Sequence, residues 1–300
     1  MKLSGVFAAL TTPFTADDKV DGERLGRNIE RYNSTALNGY VLNGSTGEAV
    51  LLKWAEAEEV WAVAKRAAAS GKLLIAGTAA ESTRETIEYT KRAHALGCDA
   101  ALVRTPHYYR PLMTLDVLVD FYKRVADASH IPILVYSIPQ YTGIAVEADL
   151  IARVADHPNI VGLKDSSGSV ERVSQIRSAA PDSFRILVGG ASTFYASLQR
   201  GAAGGILALA SALPELCAEL YEAATSRDSE RALAIQERIT LPSNVLVNKY
   251  GIPGLKFALD QLGYCGGRSR EPLAMLSDAA KKEILGVLAG VQPLPAGRSA

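Results

Sequence analysis

The sequence predicts an α/β fold, a (β/α)8 TIM barrel with a C-terminal helical appendage, and three observations carry that expectation. Eight short aliphatic or β-branched runs recur along the chain, bounded by turn residues. Stretches of helical period lie between them. Most of the runs are apolar on both faces, as in parallel strands covered by helices rather than half-solvated antiparallel ones.

In order, the expected strands are GVFAAL (5–10), GYVLN (39–43), KLLIAGT (72–78), AALVRT (100–105), PILVYSI (132–138), NIVGLKD (159–165), FRILVGG (184–190) and GGILALA (204–210). Strand and helix alternating eight times with right-handed crossovers close most naturally into a barrel. The 300 residues suffice for a fold that commonly takes about 250. A doubly wound open sheet is the competitor, but no GxGxxG follows the first strand. Between strands, Ser82 and Glu85 are spaced as a capping box at the head of STRETIEYTKRAHALG, which Gly97 ends. KWAEAEEVWAVAKRAAASG places Trp54, Val60, Trp61 and Ala64 on one face and closes at Gly71. From about residue 226 the strands stop, and DSERALAIQERITLPSNVLVN, GIPGLKFALDQLG and DAAKKEILGVLAG read as helices. The expected division is a barrel over 1–225 and a helical segment over 226–300, an appendage or an oligomer contact. No low-complexity linker separates a second independent domain, and PLPAGRSA (293–300) reads as a frayed tail.

Composition narrows the function classes. The apolar fraction of 48% and charged fraction of 21% are ordinary for a globular chain with a sizeable core. Thirty-two basic and thirty-two acidic side chains cancel, which leaves nucleic-acid binding without electrostatic support and argues against disorder. Apolar stretches such as GGILALASAL fall short of the roughly 18 to 20 residues of a membrane span. After Lys2 the N-terminal apolar run is roughly six residues and leads into Thr11, Thr12 and Pro13, so it reads as a first strand rather than a signal peptide. Cys98, Cys217 and Cys265 are odd in number and lack pairing or metal spacing, which fits a reducing cytoplasm.

In such a barrel the chemistry sits at the carboxyl ends of the strands. Lys164 follows Ile160, Val161, Gly162 and Leu163 near the end of the sixth run. It is either a buried lysine paired with a carboxylate, a lysine snorkelling to water, or a Schiff-base nucleophile. An ammonium with the ordinary pKa near 10.4 does not attack carbonyls; desolvation penalises the charged form and frees the lone pair. The iminium formed on a ketone withdraws electrons, so a bond at the adjacent carbon can break or form through an enamine. Such chemistry needs no metal, and His94, His107, His130 and His157 show no ligand spacing. Tyr136, near the end of the fifth run, is either packing or the proton shuttle. The turn Asn43-Gly44-Ser45-Thr46-Gly47-Glu48 can converge backbone N–H groups on a carboxylate, or Ser45 or Thr46 can simply cap the next helix. The segment Thr105-Pro106-His107-Tyr108-Tyr109-Arg110-Pro111 is a rigid aromatic loop that packs against a neighbour, or one that delivers a phenol to an adjacent site.

Taken in order, LTTPF, GSTGE, TPHYYRP, YSIPQYTG, GLKDSSG and NKYGIPGLK, with Tyr136 and Lys164 28 positions apart, make the chain resemble the dihydrodipicolinate synthase / N-acetylneuraminate lyase family of class I pyruvate aldolases. The resemblance implies that Lys164 forms the Schiff base and that Tyr136 is the catalytic tyrosine. It implies that Ser45 links Tyr136 to a second tyrosine, Tyr108, which reaches across a subunit interface, and that Thr46 with its turn holds the pyruvate carboxylate. Gly47, Ser166, Gly189 and Ile206 complete the expected substrate-binding set. It further implies no metal or organic cofactor and a homotetramer, a dimer of dimers. Where the family's synthases usually carry an arginine for the aldehyde partner's carboxylate, two residues after the proline of the tyrosine motif, this chain has Tyr141. HPNIVGLKDSSG, AGTAAEST and YGIPGLK are most similar to 4-hydroxy-2-oxoglutarate aldolases. The expectation is therefore a cytoplasmic lyase acting on a short 4-hydroxy-2-oxo acid. The alternatives are dihydrodipicolinate synthesis from pyruvate and aspartate semialdehyde, a sugar-acid lyase or dehydratase, and a silent barrel that only binds 2-oxo acids.

Overall fold

The computed structural model describes residues 3–291, so Lys2 and the tail expected at 293–300 lie outside the described residues. Eight parallel strands form a closed barrel in sequence order: β1 (Gly5–Ala9), β2 (Gly39–Leu42), β3 (Leu73–Gly77), β4 (Ala100–Arg104), β5 (Ile133–Ser137), β6 (Ile160–Asp165), β7 (Arg185–Val188) and β8 (Gly204–Leu207). β8 returns to pair with β1, from Gly5 opposite Gly204 to Ala8 opposite Leu207. Every strand lies within an expected run and is shorter at its ends, because there the chain leaves the ladder for the loops that carry polar side chains.

Helices α1 (Gly22–Asn33), α2 (Trp54–Ala67), α3 (Thr83–Ala95) and α4 (Leu115–Ala128) follow the first four strands. The one-turn α5 (Pro139–Thr142) and α6 (Ala148–Val154) follow β5, α7 (Val170–Ala179) follows β6, and α8 (Phe194–Gln199) follows β7. The one-turn α9 (Leu209–Ala212) and α10 (Pro214–Thr225) follow β8. Alternation along each strand sorts the apolar residues into two cores. Phe7, Val41, Ile75, Leu102, Leu134, Leu187 and Ile206 fill the barrel interior, and a larger cluster including Val6, Tyr40, Leu74, Val135 and Leu163 lies between sheet and helices.

Two local expectations need correction. Ser82 caps α3 by accepting from the Glu85 N–H at 3.1 Å, but Glu85 takes the Ser82 hydroxyl rather than its backbone N–H, so the reciprocal half of the box is missing. α2 ends at Ala67, short of Gly71, because Ala68 is already extended. The capping-box bond is found instead at α2, where the Glu56 carboxylate accepts from the Lys53 N–H at 2.7 Å. On its expected face Val60, Trp61 and Ala64 are buried, while Trp54 is part-buried and stacks on Tyr89.

The C-terminal segment consists of α11 (Ser229–Pro242), a π-helical stretch (Ser243–Lys249), α12 (Gly251–Gln261) and α13 (Asp278–Ala289). A single helix over 228–248 is thus not formed. Pro242 supplies no N–H to the helix, the Ser243 N–H still bonds to the Ile239 carbonyl, and the chain then widens into π-turns. This segment is tied to the barrel top by buried charge. Lys256 Nζ lies 2.5 Å from Glu48 Oε1, both side chains being essentially inaccessible. The same ammonium donates to the Arg268 carbonyl at 2.8 Å and sits 4.4 Å from the centre of the Phe14 ring. Burial lowers the pKa of Lys256, opposed by the attraction of Glu48. The Arg270 N–H donates to Glu48 Oε2 at 2.8 Å, and its guanidinium clasps Glu56 at 2.7 and 2.9 Å.

Removing one member of a buried pair strands its partner, so Glu48→Gln should lose about 3–5 kcal/mol of stability. Adding Lys256→Met should recover most of it. Urea unfolding midpoints of the two variants check this; equal losses in both would mean that the pair is not the coupling unit.

Candidate active site

Tyr136 and Lys164 face each other across the β5–β6 ladder, and Lys164 is level with Leu187 of β7. Because Tyr136 and Leu187 belong to the inner core, this row points into the barrel. Lys164 is 4% exposed, with Nζ 4.5 Å from the centroid of the Tyr136 ring. Among the described residues no carboxylate lies within ion-pair distance of it, whereas the other deeply buried lysine, Lys256, has Glu48. The neighbouring Asp165 is occupied elsewhere, accepting the Ser167 hydroxyl at 2.5 Å with Arg172 at 3.7 Å.

A cavity of about 500 Å³ opens over this row, lined by Ser45, Thr46, Tyr136, Lys164, Ser166, Gly189 and Ile206 of the expected set. Ser45 Oγ and the Tyr136 hydroxyl lie 3.4 Å apart. The turn that carries Ser45 is held by its own backbone, with Asn43 and Glu48 both at positive φ. The N–H groups of Gly47, Glu48 and Ala49 bond back to the carbonyls of Gly44 and Ser45. Those of Ser45 and Thr46 have no acceptor within the described chain and remain available as donors. Neither hydroxyl caps a helix, since the next element is a 3₁₀ turn at Ala49–Leu51 with no side-chain cap. Gly47 does not line the cavity. Its carbonyl accepts the Thr12 hydroxyl at 2.7 Å, and a Cβ on it would press to 3.2 Å on Asn43 N and Leu10 O.

Tyr108 is not brought to the cavity of its own chain. It is 76% exposed, with its ring edge-on to that of Tyr109 at a centroid distance of 5.1 Å. A smaller cavity of about 80 Å³ shares Ser45 and Tyr136 with the main one and is bounded by Val50 and Arg104.

Tyr141 and several residues outside the expected substrate-binding set complete the wall. Gln140 lines it while donating to the Ser166 carbonyl at 3.0 Å, and Tyr141 stands at the rim, 63% exposed. Val247, Asn248, Ile252 and Leu255 arrive from the π-helical stretch and α12. NKYGIPGLK contains Asn248, Ile252 and Leu255 but not Val247, and only the folded chain brings positions 248 and 45 to one cavity. Lys164 is the one charged side chain in the lining among the described residues. The same residues contain no group of three His, Cys, Asp or Glu that could hold a metal ion, and no helix among them is long and apolar enough to cross a membrane.

Residues 2–289 match the model of the Dihydrodipicolinate synthetase family. The chain belongs to this family. A 4-hydroxy-tetrahydrodipicolinate synthase of Archaeoglobus fulgidus is 36% identical, the match covering 96% of this chain and 98% of that one. Its counterpart from Acidiphilium cryptum is 35% identical over 96% and 98% of the two chains. Dihydrodipicolinate synthase from Aquifex aeolicus superposes with a TM-score of 0.92 at 32% identity, covering 98% of this chain and 100% of that one. The chloride-inhibited enzyme of Acinetobacter baumannii, described as complexed with pyruvate, also gives 0.92 at 32% identity over 96% and 99%. The protein is therefore a class I, Schiff-base aldolase of the dihydrodipicolinate synthetase family. The relatives carry the synthase name, so they lend no support to the 4-hydroxy-2-oxoglutarate substrate expected from the motifs and favour the synthase alternative.

Gly189 leaves room for a neighbour. A Cβ there would lie 2.1 Å from Ser166 Oγ and 3.0 Å from its Cβ. Gly189→Ala should accordingly destabilise the fold by about 1–3 kcal/mol, the usual range for overpacking, read from urea unfolding.

Proposed function

We propose that Lys164 attacks the keto carbon of pyruvate, loses water to give an iminium, and releases a methyl proton to form an enamine that adds to an acceptor aldehyde. The observation that carries this reading is an unpaired lysine inside the barrel, level with a tyrosine on the adjacent strand and open to a cavity. The Tyr136 phenol moves the protons of carbinolamine formation and breakdown. Ser45, 3.4 Å from it, relays them onward. Thr46 and the free N–H groups of its turn take the pyruvate carboxylate. Tyr108 of a neighbouring copy closes the relay through the small cavity beside Ser45, in a homotetramer of the kind expected from the family resemblance. A pyruvate complex of a relative supports the first substrate.

For the acceptor, the names of the relatives support aspartate semialdehyde and synthesis of 4-hydroxy-tetrahydrodipicolinate. One observation favours a second reading, cleavage of a short 4-hydroxy-2-oxo acid such as 4-hydroxy-2-oxoglutarate: Tyr141 lines the cavity where an arginine clamp is expected in the synthases.

Incubation with pyruvate and borohydride should add a covalent mass to the wild type and none to Lys164→Arg. An unmodified wild type would leave the chain a binder of 2-oxo acids rather than an enzyme. Coupled assays then separate the acceptors: the synthase reading expects joint consumption of pyruvate and aspartate semialdehyde, and the second expects pyruvate release from 4-hydroxy-2-oxoglutarate. If the second holds, Tyr141→Arg should raise kcat/KM for the semialdehyde about tenfold to a hundredfold, the worth of a hydrogen-bonded charge.

A further inference from the structure

We propose that Glu81 is a positioning residue for the reaction, fixing the loop that presents the Tyr108 phenol. The inference rests on the role given to Tyr108 above. The loop between β4 and α4 has no strand partner, and the Tyr108 side chain is 76% exposed with its ring edge-on to Tyr109. What holds it is backbone. The N–H groups of His107 and Tyr108 both donate to Glu81 Oε2, at 2.8 and 2.9 Å. Two consecutive N–H groups converging on one oxygen form an anion nest whose guest is the chain's own carboxylate.

The other carboxylate oxygen reaches back to the barrel. Glu81 Oε1 accepts from Arg104 Nη1 at 2.8 Å and lies 2.8 Å from His107 Nδ1, and Arg104 Nη1 is itself 2.9 Å from that ring nitrogen. Burial alone would raise the pKa of Glu81, but the two backbone donors and Arg104 outweigh it and hold the carboxyl below its usual range. Arg104 ends β4 directly opposite Tyr136 in the ladder and lines the small cavity with Ser45 and Tyr136. One carboxylate thus ties the Cα trace of the outgoing tyrosine to the strand beside the catalytic tyrosine. At its far side the loop rests Arg110 on Gly143, where an added Cβ would lie 2.4 Å from Nη1. This sets where Tyr108 leaves the surface, and hence whether its phenol reaches a neighbouring copy's Ser45.

A double-mutant cycle on the full-length protein tests the proposal, using Glu81→Ala, Tyr108→Phe and their combination, with steady-state pyruvate turnover and borohydride trapping as readouts. Tyr108→Phe should lower kcat about a hundredfold, in the range of a lost proton-transfer group. Glu81→Ala should lower kcat about tenfold or more, leave KM for pyruvate within about twofold, and still trap the pyruvate adduct. The combination should be no slower than Tyr108→Phe alone, because Glu81 acts only through that phenol. Glu81→Gln, which keeps one acceptor oxygen for the two N–H groups, should restore part of the rate and carries the cycle if Glu81→Ala does not fold. Additive losses in the double variant, or an unchanged kcat in a folded Glu81 variant, would overturn the proposal. So would a Tyr108→Phe enzyme as fast as wild type. A wild type that gives no adduct would instead sink the Schiff-base reading, and the positioning role with it.

Discussion

Among the described residues two lysines lie deep in the chain, and the difference between their surroundings organises the molecule. Burying an ammonium away from water is costly unless a counter-charge and hydrogen-bond acceptors replace the lost solvent. Lys256 receives both, with Glu48 at 2.5 Å, the Arg268 carbonyl at 2.8 Å and the Phe14 ring beneath it. Lys164 receives a tyrosine ring and an open cavity. The first arrangement is structural and locks a helix to a turn. The second leaves an amine whose partner must come from outside, which is what a covalent catalyst for a keto acid requires.

The two sites are connected through Glu48. That residue ends the turn whose Ser45 and Thr46 line the cavity, and its carboxylate meets both Lys256 and the Arg270 backbone. The turn owes its shape to positive φ at Asn43 and Glu48, and a residue in that conformation persists only when its surroundings over-determine it. Here they do so through a fully desolvated ion pair, so the free donors of Ser45 and Thr46 are held in place from the C-terminal side of the chain.

Much of this was legible in the sequence. The eight strands could be read because fully buried parallel strands need continuous apolar runs, and Lys164 stood out because it interrupts one of them. Tyr136 followed from its place near the end of the preceding run. What could not be read has equally physical causes. The π-helical stretch after Pro242 changes the turn geometry within an otherwise unbroken helical pattern, and no change in hydrophobicity marks it. Asn248 and Val247 reach the cavity across most of the chain's length, and no local pattern reports that. Glu81 sits in an exposed loop among other charged residues, and its importance lies in backbone N–H groups that any sequence would supply. The identity of the acceptor rests on Tyr141, where motif and kinship point in different directions.

The ion pair between the second strand's turn and the penultimate helix also has a bearing on how the molecule is made. A ribosome emits Glu48 long before Lys256, so the early barrel strands leave the exit tunnel with a carboxylate awaiting its mate. Until the last fifth of the polypeptide is synthesised, the wall contributed by Asn248 and Leu255 does not exist, and the turn lacks its clamp. Both the clamp on the turn and this part of the cavity wall therefore depend on residues that are synthesised some two hundred positions after the turn itself.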